Sequence, residues 1–239
     1  MADIKPPSPA FSIAFNGPVW EGLPDSCREL VAAIIAGASH PHPACQRLLA
    51  SHLASLTEQA RPWLHGQLTY PSTEAWRAAY EVVLSEPDIR EYRSVAWVKT
   101  EDYWQDLPGQ HAMQFNYSLL DRGVEIERTF ILGWNLWPPE LPLPHHSIRS
   151  WIDEQHYRGV EVWLVRESEL VGESGLLCDF GIYGDEATGQ QELDEASRTI
   201  CYTLSFDPSA IRLAKDRWVR LALFAQSYAD LLDRASLGQ

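Results

Sequence analysis

The sequence predicts an α/β protein whose N-terminal third is helical, and three observations lead to this fold class. Apolar residues recur at helical spacing up to about residue 86. Beyond that point, apolar segments at residues 124–133 and 160–165 flank a predicted helix, which is the strand–helix–strand pattern of a parallel crossover. The 239 residues are 45% hydrophobic, which is enough for the core of one large domain with an appendage.

The first 86 residues are expected to form an extended lead-in and then a helical region. Five prolines fall within residues 1–24, and proline lacks the N–H that regular structure uses. Residues 25–86 predict a helical hairpin and one further helix, which Ser72 or Thr73 caps. The hairpin is expected to contact a partner.

The remaining residues, 87–239, predict a sheet flanked by helices. Val124 begins a strand that alternates and then becomes continuously apolar, as a central strand does. Gly123 and Gly159 fit the left-handed position that commonly follows a helix. The other predicted elements are a strand end at 95–98, helices at 109–120 and 147–158, strands at 160–165, 176–183 and 199–206, a polar loop at 184–198, and a last helix from 207 to about 235.

The charge balance argues against a nucleic-acid partner. The net charge is −14, and the chain contains only three lysines. A protein that binds nucleic acid uses clustered cations to replace phosphate counterions, whereas the arginines here are spread singly. We therefore expect a protein partner or a small ligand, with a homodimer as a further possibility.

Neither a membrane partner nor a secreted location is expected from the sequence. No stretch reaches the roughly 18 to 20 apolar residues that a membrane helix needs. The N-terminus lacks the basic and apolar regions of a signal peptide, and the four widely spaced cysteines are typical of reduced thiols. The expected compartment is the cytoplasm.

Motif searches identify no catalytic constellation, no metal site and no cofactor site. The Gly-x-Ser-x-Gly elbow, the phosphate-binding loop, Gly-x-Gly-x-x-Gly and Cys-x-x-Cys are absent from the sequence. His40, His42 and Cys45 are three possible zinc ligands, but two prolines stiffen that segment and no second ligand cluster has metal spacing. The segment is interpreted as a turn between helices.

Two clusters are the candidates for a ligand site. Asp179 lies inside the apolar strand that ends at Tyr183, and a buried carboxylate must be paired or belong to a site. Pairing with Arg128 or Arg166, or exposure at a sheet edge, is the structural alternative.

The second cluster, Trp134, Asn135 and Trp137, follows the apolar strand that begins at Val124. Ligands of parallel α/β sheets bind beyond the carboxyl ends of strands, so these side chains are candidates to line a pocket. A lid over the core is the alternative.

The order of features over residues 88–225 resembles the non-catalytic, sensor-type bacterial form of the phospholipase D-like fold. The stretch Gln114-Phe-Asn-Tyr-Ser-Leu-Leu-Asp-Arg-Gly leads into Val124-x-Ile-x-Arg-x-Phe-Ile-Leu, followed by Gly159-Val-x-Val-Trp-Leu-Val and Asp179-Phe-Gly-Ile-Tyr. The resemblance implies a mixed sheet flanked by helices, a paired dimer and a vestigial pocket. Active members use His-x-Lys-x-x-x-x-Asp, and no histidine here has a lysine two residues later.

Three functions remain open from the sequence. The first is a non-enzymatic binding, adaptor or sensor protein that recognises a small ligand or a protein. The second is a hydrolase or transferase that uses Asp179 or Asp185 with His145 or His146, which requires these groups to converge in one cleft. The third is an acidic assembly component whose exposed tryptophans contact another protein.

Overall fold

A computed structural model describes residues 21–101, 107–194 and 199–237. Most of the predicted lead-in, residues 1–20, lies outside the described residues. The chain divides into two compact units, Met1–Pro62 and Trp63–Gln239. Residues 63–86, which the sequence pattern grouped with the helical region, thus belong to the unit that contains the sheet.

The first unit contains a helical hairpin, as predicted. Helix α1 spans Asp25–Ala38 and helix α2 spans Pro43–Ala60. The turn between them ends at His42, whose Nδ1 accepts a hydrogen bond from the Ala44 N–H at 3.2 Å and so caps α2. A 3₁₀ helix, Arg61–His65, follows α2.

The second unit alternates strands and helices. The strands are β1 (Gln67–Tyr70), β2 (Glu91–Val98), β3 (Glu125–Leu132), β4 (Glu161–Arg166), β5 (Asp179–Tyr183), β6 (Ala187–Leu193), β7 (Thr199–Ser205) and β8 (Gln226–Ser227). The helices are α3 (Thr73–Leu84), α4 (Leu107–Asp121), α5 (His146–Tyr157), α6 (Pro208–Ala222) and α7 (Tyr228–Leu237), with short 3₁₀ helices at Glu167–Leu170 and Ser174–Leu176. No described helix is both long enough and apolar enough to span a bilayer.

These strands form one sheet in the order β1-β7-β6-β5-β2-β3-β4-β8. Strands β2, β3 and β4 pair in parallel, and the remaining neighbours are antiparallel. The predicted mixed sheet and the parallel crossover through α5 are therefore confirmed. The parallel strands are joined by helices because a parallel pair needs a long crossover connection.

Glycines end the two crossover helices. Gly123 follows α4 with φ of +83°, and Gly159 follows α5 with φ of +100°. The N–H of Val124 donates to the carbonyl of Leu119 at 3.0 Å, and the N–H of Val160 donates to that of Gln155 at 3.1 Å. These bonds close the helix ends in the way that a left-handed glycine permits.

Apolar side chains pack on both faces of the sheet. One face, which we call the pocket face, carries a large cluster that includes Tyr80, Phe130 and Trp137. The opposite face packs Val95, Ile131 and other residues against α6. Central strands buried on both faces explain why residues 130–132 read as continuously apolar.

The structure differs from the sequence-based elements at four places. The segment predicted as a polar loop contains β6, and the predicted strand at 176–183 begins only at Asp179, after a 3₁₀ helix. The predicted last helix is two helices, α6 and α7, separated by the short strand β8. A β1 strand, which the sequence pattern did not indicate, pairs with β7 at the sheet edge.

Candidate functional site

A small pocket lies on the pocket face, where three neighbouring strands carry side chains that are small or absent. Ser94 of β2 is paired with Arg128 of β3 on one side and with Gly181 of β5 on the other. Gly181 is paired in turn with Gly189 of β6. Paired residues on neighbouring strands point to the same face of the sheet, so Ser94, Gly181 and Gly189 lie in one row across it. This row forms the floor of a pocket of about 50 Å³.

Aromatic rings wall the pocket on several sides. They come from α3, α5 and strands β2, β3, β5 and β7, and they are Trp76, Tyr92, Phe130, Trp151, Tyr183 and Tyr202. The Tyr92 and Tyr183 rings stack with centroids 5.4 Å apart, and the Trp76 and Tyr202 rings stack at 5.1 Å. Such ring pairs hold the walls in a defined position.

The two floor glycines leave room for a pair of tyrosine hydroxyls. A Cβ on Gly181 would lie 2.9 Å from the Tyr183 hydroxyl, and a Cβ on Gly189 would overlap the Tyr202 hydroxyl. In their absence the two hydroxyl groups share a hydrogen bond of 2.6 Å. Burial raises the pKa of both tyrosines, so both phenols are neutral at physiological pH.

Arg128 brings a buried positive charge to the edge of this pocket. Its side chain is 6% exposed. Its Nε donates to Ser94 Oγ at 2.9 Å, and its Nη1 donates to Gln155 Oε1 at 2.6 Å and contacts Met113 Sδ at 3.1 Å. Within the described ranges, no hydrogen bond or ion pair occupies its Nη2. From the sequence, Arg128 was predicted as a partner for Asp179 and not as a ligand-binding residue.

Asp179 lines the same pocket from the first position of β5. Its side chain is buried, and Oδ1 accepts the backbone N–H of Trp97 at 2.7 Å, just beyond the last paired residues of β2 and β5. The carboxylate thus satisfies a strand donor where the ladder ends.

The two arginines that the sequence predicted as partners for Asp179 bond to other groups. Arg166 lies over the Trp137 ring at 3.9 Å and donates to the Leu141 carbonyl at 2.8 Å. It also lies 3.5 Å from Glu169. Arg128 donates to Ser94 and other neutral groups, as described above.

The structure places the sequence-based candidates in two separate regions. Asp179 and Tyr183 both line the pocket. Trp134, Asn135 and Trp137 follow β3 and are not among its lining residues. Trp137 is fully buried and its Nε1 donates to the Leu141 carbonyl, Asn135 Nδ2 donates to the Lys99 carbonyl, and Trp134 is 70% exposed.

The groups required by the hydrolase hypothesis lie apart. His145 and His146 line a different pocket, formed by the proline-rich loop before α5 together with Arg234 of α7. Asp185 lies on the turn after β5, where it is paired with Lys215, which holds the pKa of the Asp185 carboxyl below its usual range. The structure therefore does not bring Asp179 and the two histidines into one cleft.

The possible zinc ligands of the hairpin turn are used as hydrogen-bond acceptors. His40 Nδ1 accepts the backbone N–H of His42 at 3.1 Å, and His42 Nδ1 accepts the N–H of Ala44. Across the part of the chain that the structure describes, no group of three or more histidine, cysteine and carboxylate side chains is arranged to hold a metal.

Comparisons with known proteins bear on the fold. No family model matches the chain, and no curated protein matches its sequence. One similar solved structure is Nuc from Salmonella typhimurium, a phospholipase D family member, at 11% identity and a TM-score of 0.45, covering 68% of this chain and 98% of Nuc. NucT from Helicobacter pylori is similar over 68% of this chain and 98% of its own, at 12% identity and a TM-score of 0.46. The predicted mixed α/β fold agrees with these likenesses, which carry no inference about activity.

A third similar structure corrects one expectation. TrmBL2, an archaeal chromatin protein with a novel mode of DNA binding, matches over 93% of this chain and 72% of its own, at 13% identity and a TM-score of 0.43. The exclusion of nucleic-acid partners was therefore wrong as a general statement. It rested on a net charge of −14, on only three lysines and on arginines spread singly along the sequence, and none of these describes how charges are arranged on any one folded surface.

Proposed function

We propose that this chain is a binding protein of the sensor type, and that it recognises a small molecule in the pocket on the pocket face of the sheet. One observation carries the proposal. The buried guanidinium of Arg128 lies at the edge of a depression that has aromatic walls and a floor of serine and glycine. A concave, mostly apolar site with a few placed polar groups is the usual form of a ligand pocket.

The polar groups at the pocket support binding better than catalysis. The oxygen of Ser94 accepts a hydrogen bond from the Arg128 guanidinium, and a guanidinium cannot take a proton from a serine nucleophile. Tyr183 and Tyr202 stay protonated, since burial raises the pKa of each phenol. These groups are suited to hold a ligand in one orientation.

The size of the pocket limits the ligand. A single water occupies roughly 10–15 Å³ on the same measure of volume, so about 50 Å³ gives room for roughly four waters. We therefore expect a ligand of about four to six non-hydrogen atoms, or one end of a longer molecule.

A ligand screen with a pocket-filling variant tests this proposal. The melting temperature is measured against a panel of carboxylates, amides, alcohols and amines of up to six non-hydrogen atoms. Ligands that bind the native state raise the melting temperature in proportion to the logarithm of their concentration above Kd. Ala96 lines the pocket, so Ala96→Leu should abolish every such shift.

Ala222→Leu is the matched control, because Ala222 is exposed on α6 and takes the same substitution. It should keep the shifts seen with the unmodified chain. If no compound shifts the unmodified chain, or if Ala96→Leu keeps all the shifts, the proposal is refuted. A protein partner, a homodimer and a cytoplasmic location, which the sequence also suggested, stay predictions.

A further inference from the structure

Three hydrogen-bond donors at the pocket have protons that no described group accepts. The first is Nη2 of Arg128, whose Nε and Nη1 are already engaged. An arginine is charged at every physiological pH, so this donor is permanently cationic. Nη2 is not one of the fully buried polar atoms that lack a partner among the described residues, so solvent or a ligand can reach it.

The second and third donors are hydroxyl groups. Ser94 Oγ accepts from Arg128, and its own proton has no acceptor among the described residues. Tyr183 and Tyr202 share one hydrogen bond between two hydroxyls. One of the two protons makes that bond, so the other is available to a further acceptor.

We propose that the pocket selects a small monocarboxylate, with one carboxylate oxygen on Arg128 Nη2 and the apolar part of the ligand against the aromatic walls. This inference rests on the proposed function and adds the chemical class of the ligand. An ionised carboxylate offers about four acceptor sites and no donor, which complements three donors that lack acceptors. Hydrogen bonds with a charged partner are also the strongest that such a site can make.

The charges at the pocket allow at most a single negative charge on the ligand. Among the described residues that line it, Arg128 is the one basic side chain and Asp179 is the one acidic side chain. Asp179 Oδ1 is engaged by the backbone N–H of Trp97, whereas Nη2 of Arg128 has no acceptor among the described residues. A phosphate dianion would leave most of its charge uncompensated, and an ammonium group would face the buried guanidinium. A neutral amide brings its own N–H donors, which compete with those of the site.

Titration calorimetry with sodium propionate tests the inference. Propionamide and propylammonium chloride, of nearly the same size, serve as comparison ligands at equal ionic strength. We expect propionate to bind at least about tenfold more tightly than propionamide. Arg128→Gln should reduce propionate affinity by about tenfold to a hundredfold, because it removes a hydrogen bond between charged groups.

Two further variants guard against a general loss of structure. Arg217→Gln makes the same change in charge on α6, where Arg217 donates to Gln190 at 3.2 Å, and it should leave propionate affinity unchanged. Ser94→Ala removes only the hydroxyl and should reduce propionate affinity about fivefold to tenfold. Circular dichroism establishes that each variant is folded.

The outcomes separate this inference from the proposed function. If propionamide binds as tightly as propionate, or if Arg128→Gln and Arg217→Gln have equal effects, the carboxylate inference is overturned while ligand binding in the pocket stands. If phosphate binds in preference to propionate, the ligand is a different oxyanion and the inference is equally overturned. If no member of the small-molecule panel binds, the proposed function fails as well.

Discussion

Gly189 occupies a position where a single methyl group should disturb the pocket and the sheet together. The residue lies in β6, and the Tyr202 ring of β7 extends across it. A Cβ at Gly189 would overlap the hydroxyl and the Cζ of Tyr202 and lie 2.8 Å from its Cε2. Tyr202 is buried, stacked on Trp76 and hydrogen-bonded to Tyr183, so its ring can move only into the pocket that it lines and only by giving up those contacts.

The expected loss of stability follows from three contributions. Overpacking in a well-filled core costs about 1–3 kcal/mol. Loss of the buried hydroxyl pair adds about 1 kcal/mol. Alanine also reduces the conformational entropy of the unfolded chain, which stabilises the fold by about 0.4–1 kcal/mol. Gly189→Ala should therefore lower the free energy of unfolding by about 2 kcal/mol.

Two other glycines give a graded comparison. A Cβ at Gly181 would first meet the Tyr183 hydroxyl at 2.9 Å, so Gly181→Ala should cost about half as much as Gly189→Ala. A Cβ at Gly175 would meet no atom within 4 Å, so Gly175→Ala should be neutral or slightly stabilising. Urea unfolding, followed by tryptophan fluorescence, measures all three. The steric account of the pocket floor is refuted if Gly189→Ala and Gly175→Ala unfold at the same urea concentration.

Three more predictions concern helix caps and ionisation. Ser72 Oγ accepts the N–H of Ala75 at the start of α3, so Ser72→Ala should lower the free energy of unfolding by about 0.5–2 kcal/mol in the same urea assay, and an unchanged midpoint would contradict the capping role. Hydrogen bonds from Ser209 lower the pKa of the Asp207 carboxyl in the folded chain. The ionised carboxyl therefore stabilises the fold above its unfolded-state pKa, and this stabilisation is lost as pH falls through the lower folded-state pKa. Asp207→Asn should make the free energy of unfolding fall less steeply as pH is lowered. Burial raises the pKa of the Tyr183 and Tyr202 phenols in the folded chain. Their contribution to the free energy of unfolding is complete below the unfolded-state pKa near 10 and is lost as pH rises through the folded-state pKa. An absorbance titration should show fewer ionising tyrosines in the folded than in the unfolded chain.

The central strands could be predicted from sequence because burial on both faces gives a strong signal. Residues 124–132 alternate and then become continuously apolar at 130–132, which is typical of a strand covered on both faces, and Gly123 marks the end of the preceding helix. The crossover from β3 to β4 followed from the same pattern. These features are local, so a single segment of sequence contains the information.

The strands that were missed lack that local signal. The outer half of β6 exposes glutamine and glutamate, so its composition resembles a loop, and pairing with β5 and β7 decides its conformation. β8 is two residues long, and only its pairing with β4 interrupts the apparently continuous helix before Tyr228. Tertiary pairing of this kind cannot be obtained from the periodicity of one segment.

Two of the residues that line the candidate pocket, Asp179 and Tyr183, could be named from the sequence. Asp179 was a candidate because a carboxylate inside an apolar strand is unusual, and Tyr183 was a candidate because it ends the same strand. Arg128 and Ser94 were not predicted as pocket residues, because their contact depends on the parallel register of β2 and β3. A polar residue at an inward position of an otherwise apolar strand, as at Arg128, was the available signal. Trp137 attracted attention for its position after β3, but its ring is buried under Arg166.

The central claim is that a small ligand binds on the sheet beside Arg128, and a crystal structure grown with sodium propionate tests it most directly. We predict electron density for propionate over Ser94 and Gly181, with a carboxylate oxygen about 2.7–3.2 Å from Arg128 Nη2. Crystals of Ala96→Leu grown in the same way should lack that density. Propionate bound elsewhere, or a pocket of unmodified protein that contains only water at saturating propionate, would contradict the account.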